Sequence, residues 1–313
     1  LNIFDTHMPG GQVGSIYSDS TISAGMSHIC AILADSSLKC WGENSNYQLG
    51  DGTDVGSNTP VAVSLPSGRT AVAVDAGSAH TCAILDNGVL KCWGANGHGQ
   101  LGDGTEYIRS TPVTVGLPSG RTAIAIAAGG AFTCAIVDNG SLYCWGENYD
   151  GQLGDGTAND SSTPLPVDLG SGRTVVSVSS GYSHVCAILD NGSLKCWGGV
   201  HSNYGQTAWS TFNQSIDLGS GRTASAVATG EHHTCAILDD GSLKCWGRNH
   251  YGQLGLGNTT NQYTPESVNF GTGRTAVAII AASGYSHTLN SVGGHHTCAI
   301  LDDGSMKCWG DNR

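Results

Sequence analysis

The residues most suited to chemistry are cysteines in pairs ten positions apart. A histidine usually precedes the first of each pair by two. The first members are Cys30, Cys82, Cys134, Cys186, Cys235 and Cys298, and the second are Cys40, Cys92, Cys144, Cys196, Cys245 and Cys308. Together they use all 12 cysteines. His28, His80, His184, His233 and His296 hold the histidine position, and Phe132 replaces it in the third pair. Two cysteines and one histidine resemble a zinc ligand set. Zinc cysteines usually come from tighter turns, however, and Phe132 breaks the set. Buried free thiols are a second alternative, because cysteine packs as a small hydrophobe. An even count at uniform spacing favours disulfides, which require an oxidising compartment. The expectation is a secreted or cell-surface chain with neither metal nor cofactor.

The first cysteines are separated by 52, 52, 52, 49 and 63 residues, so the chain repeats at about 50 residues. In one unit, GRTAVAVDAG (68–77) alternates like a strand, HTCAIL (80–85) and VLKCWG (89–94) give two more, and STPVTVGLPS (110–119) is a proline-bounded edge strand. Four short strands at this period describe a β-propeller blade. A three-residue loop Asp86-Asn87-Gly88, with Gly88 left-handed, sets Ile84 opposite Leu90 and Cys82 opposite Cys92. Directly opposed residues lie within disulfide reach. A two-residue turn would shift the register and part the cysteines.

GSAHTCAILDNGVLKCWGANGHGQLGDGT (77–105) resembles the regulator of chromosome condensation repeat. The shared frame is Gly-x-x-His-Thr, Asp-x-Gly, then Trp-Gly-x-Asn-x-x-Gly-Gln-Leu-Gly. It recurs at Trp145, Asn148, Gln152 and Gly154, and again at Trp246, Asn249, Gln253 and Gly255. The resemblance covers almost the whole chain and implies an all-β propeller, commonly seven-bladed. The cysteine pairs depart from intracellular members and suggest a secreted branch. Six hairpins are visible, so six four-stranded blades are the first reading and seven the alternative. Residues 10–313 would form one propeller whose two termini close the ring, with Gly10, Gly11 and Gln12 continuing the motif broken off at Arg313; the alternatives are THMPGGQV (6–13) aligned with the edge strand, and an incomplete ring. Residues 1–9 would be an N-terminal extension.

Net charge is −12 with only 13 Lys and Arg, which argues against nucleic acid as a partner. No apolar run is long enough to span a membrane. No serine elbow, zinc-protease motif or phosphate-cradling loop appears, so no catalytic residues are expected. Asp51, Asp103 and Asp155 recur singly in Gly-Asp-Gly-Thr loops and suit turn capping better than calcium. Six of seven tryptophans follow a second cysteine and read as blade packing; Trp209 alone is off-pattern.

Between the fixed Asn and Gln the residues vary: Ser45-Asn46, Gly97-His98, Tyr149-Asp150 and His250-Tyr251. A constant frame with changing side chains suggests a binding rim, with Asn46, His98, Tyr149, Asp150, His250 and Tyr251 as candidates for a protein or glycan ligand. His295 and His296 adjoin an insertion of the kind that often maps to a binding face. The family's known roles include nucleotide exchange on a small GTPase, with chromatin binding, and pure protein-binding surfaces. The first needs a reducing nucleus and a basic arm, and neither is suggested. A structural alternative is a polymer of identical subunits, with residues 1–4 (LNIF) pairing with a neighbour's open strand. On a secreted chain Asn139, Asn159, Asn191, Asn213 and Asn258 are possible glycan acceptors.

Overall fold

A computed structural model of the chain describes residues 22–199, 210–282 and 295–311. The described residues form only β-strands, in six antiparallel sheets arranged as six blades. In the second blade the strands are Ala71–Ala76, His80–Leu85, Leu90–Gly94 and Arg109–Thr114, from the channel outwards. Five blades show four strands in this order, and the sixth shows three: Ala276–Ala281, His296–Leu301 and Met306–Gly310. The inner strands surround a central channel of about 550 Å3, lined by small residues such as Ser23, Ala128 and Thr229. Expectations about residues 1–9, Gly10 to Gln12, Trp209 and closure through Arg313 lie outside the described residues.

The hairpin register is the expected one. Cys82 opposes Cys92, and Ile84 opposes Leu90. Leu85 N–H bonds the Val89 carbonyl at 3.0 Å, and Gly88 has φ of 74°. By parity, Cys82 and Cys92 are a pair without mutual backbone hydrogen bonds, where opposed Cα atoms come closest. Their Cα atoms are 4.1 Å apart and the sulfurs are bonded. The other five pairs repeat this, so the structure contains six disulfides and no free cysteine. In the first hairpin Ser36 takes the glycine's place at φ 63°.

Neighbouring blades pack through two unlike faces. Cys30, Leu38, Cys40 and Leu49 of the first blade meet Val74, Ala83, Leu85 and Trp93 of the second. The same pairing joins the later blades in turn. Five of the disulfides therefore sit inside the interfaces rather than on the outer surface, while Cys308 of the sixth is exposed. Gln-Leu-Gly is explained by the same packing. A Cβ on Gly50 would lie 2.5 Å from the Trp93 ring nitrogen, and Gly102 and Gly154 stand equally close to Trp145 and Trp197.

A hydrogen-bonded relay accompanies the apolar contact. His28 Nε2 lies 2.8 Å from Thr81 Oγ1, whose hydroxyl donates to the Gln48 carbonyl at 2.9 Å. With its one proton spent, Thr81 must accept from His28, which fixes the Nε2–H tautomer. Trp93 Nε1 donates to the same carbonyl at 2.9 Å. The relay recurs at His80–Thr133–Gln100 and His233–Thr297–Gln253, and His184 bonds Thr234. Where Phe132 replaces histidine, Val185 replaces threonine, and both lie in one core cluster. Burial lowers the histidine pKa to about 4 at His28 and about 3 at His80 and His233. His28, His80 and His233 are thus neutral packing elements, and neither zinc nor free thiol describes the cysteines.

Candidate functional site

The variable pairs sit on turns of one construction. In the first blade Asn44 Oδ1 accepts from Leu49 N at 2.9 Å, while its Nδ2 reaches the carbonyls of Thr53 and Val55. Gln48 Oε1 accepts from Asn46 N at 2.9 Å. Asn96, Asn148 and Asn249 repeat the first clamp on Leu101, Leu153 and Leu254. Gln100, Gln152 and Gln253 repeat the second on His98, Asp150 and Tyr251. The buried Asn and Gln fix the backbone, so the side chains between them can differ without disturbing the fold. His98, Tyr149 and His250 are exposed; Asn46, Asp150 and Tyr251 are half-buried. Asp51, Asp103 and Asp155 each accept from the threonine two residues later, at 2.9, 3.0 and 2.9 Å, and so cap their own turns.

A second set of loops shares this face. The residues between Gly and His/Phe are Met26-Ser27, Ser78-Ala79, Gly130-Ala131, Tyr182-Ser183 and Glu231-His232. Backbone bonds tie them to the rim turns, as from Glu147 N to Ala131 O and from Arg248 N to His232 O, both 2.9 Å. Two polar centres result. In one, His98 Nδ1 of the second blade lies 2.8 Å from Asp160 Oδ2 of the third. Glu147 and Asp150 are close by, and burial raises the Glu147 pKa, with the charges of Asp160 and Asp150 adding to the shift. In the other, Glu231 is fully buried, with Oε1 3.0 Å from His232 Nε2 and Oε2 3.4 Å from His295 Nδ1. Neither approach is aligned as a hydrogen bond. Tyr251 stacks on His295 at 4.7 Å between ring centroids, and the Arg248 guanidinium lies 5.8 Å from the Tyr251 ring. Burial lowers the His295 pKa against the opposing pull of Glu231.

The structure thus brings His98 onto Asp160, with Glu147 within reach of the charges of Asp160 and Asp150, and Tyr251 onto His295. Glu231, His232 and Arg248 were not singled out in the sequence, although they vary within a constant frame just as the rim pairs do. Among the described residues no group of three His, Cys, Asp or Glu could hold a metal ion, and no helix is long and apolar enough to cross a membrane. Asn139 and Asn191 lie at exposed hairpin tips, away from this face, and each accepts from the serine two residues on. Asn159 is exposed beside the third rim turn. Asn213 pairs with Lys195 Nζ at 2.8 Å, and Asn258 takes the aspartate's turn-capping role.

Six blades of this construction define an RCC1-type propeller, and the comparisons agree. The Regulator of chromosome condensation (RCC1) repeat matches residues 38–84, 87–136, 139–188 and 240–289. A second model of that repeat matches 20–48, 71–100, 123–152, 175–206, 224–253 and 291–313. The chain belongs to the RCC1 repeat family. It is 30% identical to the ultraviolet-B receptor UVR8 of Arabidopsis thaliana over 93% of its own length and 65% of the receptor's. Yeast RCC1 (Prp20), solved bound to Kap60, superposes with a TM-score of 0.76 at 22% identity, covering 92% of this chain and 69% of that one. The CRINKLY WD40 ectodomain of the Arabidopsis receptor kinase ACR4 gives 0.56 at 20% identity, over 92% and 78%. The chain therefore spans about two thirds of the length of UVR8 and of Prp20.

Proposed function

We propose that this chain is a non-catalytic propeller, secreted or displayed at the cell surface, whose loop-bearing face binds a protein or glycan ligand. The observation that carries the reading is the clamped turn. One rigid frame presents Ser45-Asn46, Gly97-His98, Tyr149-Asp150 and His250-Tyr251 on one face of the first, second, third and fifth blades. Rigid loops carrying tyrosine and histidine lose little conformational entropy on binding. Six bridges support the oxidising compartment. Prp20 is solved bound to Kap60, and the ACR4 relative is the ectodomain of a receptor kinase.

The test presents the folded chain to an extracellular-protein array and a glycan array, beside a Tyr149→Ala/His250→Ala/Tyr251→Ala variant. The reading expects at least one ligand whose affinity falls about tenfold or more in the variant, at unchanged melting temperature. Ligands bound equally by both proteins would remove the rim from the account.

A further inference from the structure

The turns on the loop-bearing face share one frame but differ in charge. Those of the first three blades, residues 43–56, 95–109 and 147–160, hold nine acidic residues against one arginine and one histidine. Arg109 is spent on Asp103 at 2.6 Å and His98 on Asp160 at 2.8 Å, and among the described residues these are the only ion pairs on the three turns. The fifth blade reverses the pattern at matching positions. Arg248 stands where Glu43 and Glu147 stand, each with its N–H on a carbonyl of the neighbouring loop. Tyr251 replaces Asp150 on the glutamine clamp. Leu256 replaces Asp155. Asn261 replaces Asp160 as acceptor for the N–H of the buried asparagine. The frame therefore forms without these carboxylates, and their charge is not a requirement of the turn.

The same three turns expose large apolar groups. Tyr107 is 74%, Val55 69%, Tyr149 67% and Ile108 44% exposed. Among the described residues, the fifth turn (248–261) exposes none of this kind. Val55 and Tyr107 hold equivalent places, since the carbonyl of each accepts from the clamping asparagine, Asn44 or Asn96. Each turn adjoins the next blade: Gly52 N–H bonds the Ser110 carbonyl and Gly104 N–H the Ser162 carbonyl, both at 3.0 Å. Glu147 is half-buried here. Burial raises its pKa, and the charges of Asp160 and Asp150 add to the shift against the pull of His98. A carboxylate so placed is stabilised by a cation brought close to it.

We propose that this surface of the first three blades docks a cationic, arginine-rich segment of a partner protein. The proposal rests on the binding reading above and chooses between its two ligand classes. Guanidinium groups pair with carboxylates through two parallel hydrogen bonds and stack on tyrosine rings. Their stems cover apolar groups such as Val55 and Ile108. Acidic glycans would be repelled, and neutral ones would leave the excess charge unanswered. A second copy of this chain offers little to the surface. Its Arg248 has a buried Nε, and the guanidinium lies 5.8 Å from its own Tyr251 ring.

The test follows the fluorescence anisotropy of three labelled probes with the folded chain at about 150 mM salt. The probes are a peptide repeating Arg-Ser-Leu, a peptide repeating Glu-Ser-Leu, and a heparin fragment. The expected result is saturable binding of the arginine peptide alone. Glu147→Arg/Asp150→Tyr/Asp160→Asn, which installs the fifth blade's residues, should weaken it about tenfold or more. Tyr107→Ser leaves the charge unchanged and should weaken it about threefold or more. Asp168→Arg/Glu266→Arg shifts the net charge as far as the triple variant but lies outside these turns. It should change the affinity less than about twofold. Failure of the arginine peptide to bind, equal binding of either acidic probe, or equal losses in the triple and the distant variants would overturn the proposal. The array experiment above separates the two readings. Rim-dependent ligands that are all neutral or acidic overturn this proposal and keep the wider reading, whereas no rim-dependent ligand removes both. A dimer in sedimentation that the triple variant dissolves assigns the surface to a second copy and also overturns the proposal.

Discussion

The interface between the first two blades and the seam between the last and the first use matching positions and differ completely in burial. Trp93 is fully buried, with its ring nitrogen on the Gln48 carbonyl; Trp41 is only half-buried. Cys92 is 0% exposed, and its counterpart Cys308 is exposed. The repeat thus supplies each blade with two incomplete faces, and a blade becomes stable by being sandwiched. Stability of this kind is approximately a sum over neighbouring interfaces. A residue's worth then depends on whether its interface is closed, not on its type.

The largest expected effect separates the two tryptophans. Trp93→Ala should cost about 3–5 kcal/mol, the range for a large buried aromatic, and Trp41→Ala less than about 1 kcal/mol. Chemical denaturation of both variants measures the gap. Equal losses would mean that the seam is packed in solution. The cysteines come next. Removing the Cys82–Cys92 bridge should cost about 2–3 kcal/mol on the chain-entropy view of an 11-residue loop. Its thiols, if merely reduced, would still lie in a closed core.

The relay gives a smaller and more specific effect. Thr133→Val strands the His80 Nε2–H and should cost about 1–3 kcal/mol. Adding His80→Phe recreates the Phe132–Val185 pairing and should recover most of that loss. If the double variant is as weak as the single, the relay is not an independent latch.

Acid should act on the closed interfaces. His28, His80 and His233 have pKa values lowered from 6.5 to about 4, 3 and 3 by burial. The folded state keeps them neutral, while the unfolded chain takes up protons below about 6.5. Their contribution is therefore complete above that pH and shrinks as the pH falls towards 4, by up to about 1.4 kcal/mol per unit for each histidine. Melting curves from pH 7 to 4.5 should show the decline, and His80→Phe with Thr133→Val should flatten it. The smallest effect belongs to the rim: alanine at Tyr149 should move stability by no more than about 0.5 kcal/mol.

Much of this fold is written within short spans. The offset of ten between cysteines, the Asp-x-Gly loop and the Trp-Gly that follows specify the hairpin register, and the structure repeats it six times. The clamped rim turn is legible for the same reason, since Asn44 and Gln48 act within a dozen residues. What links blades is harder to read. His28 finds Thr81 across 53 positions, and each partner is unremarkable alone. Phe132 is an exception in its own repeat, and its partner Val185 lies 53 positions away in the next blade. Glu231, His232 and His295 come together only because the fifth and sixth blades meet. The open seam has no local signature at all; only Ile29 at a threonine position hints at it.

The central claim is that, among the described residues, six disulfide-stapled blades form five sealed interfaces and one open seam. Limited reduction followed by alkylation and peptide mass analysis tests it most directly. The account predicts that intact protein contains six bridges, about 12 Da lighter than the fully reduced chain. It further predicts that mild reductant opens Cys298–Cys308 well before the buried five. Simultaneous reduction of all six, or protein without bridges, would contradict it.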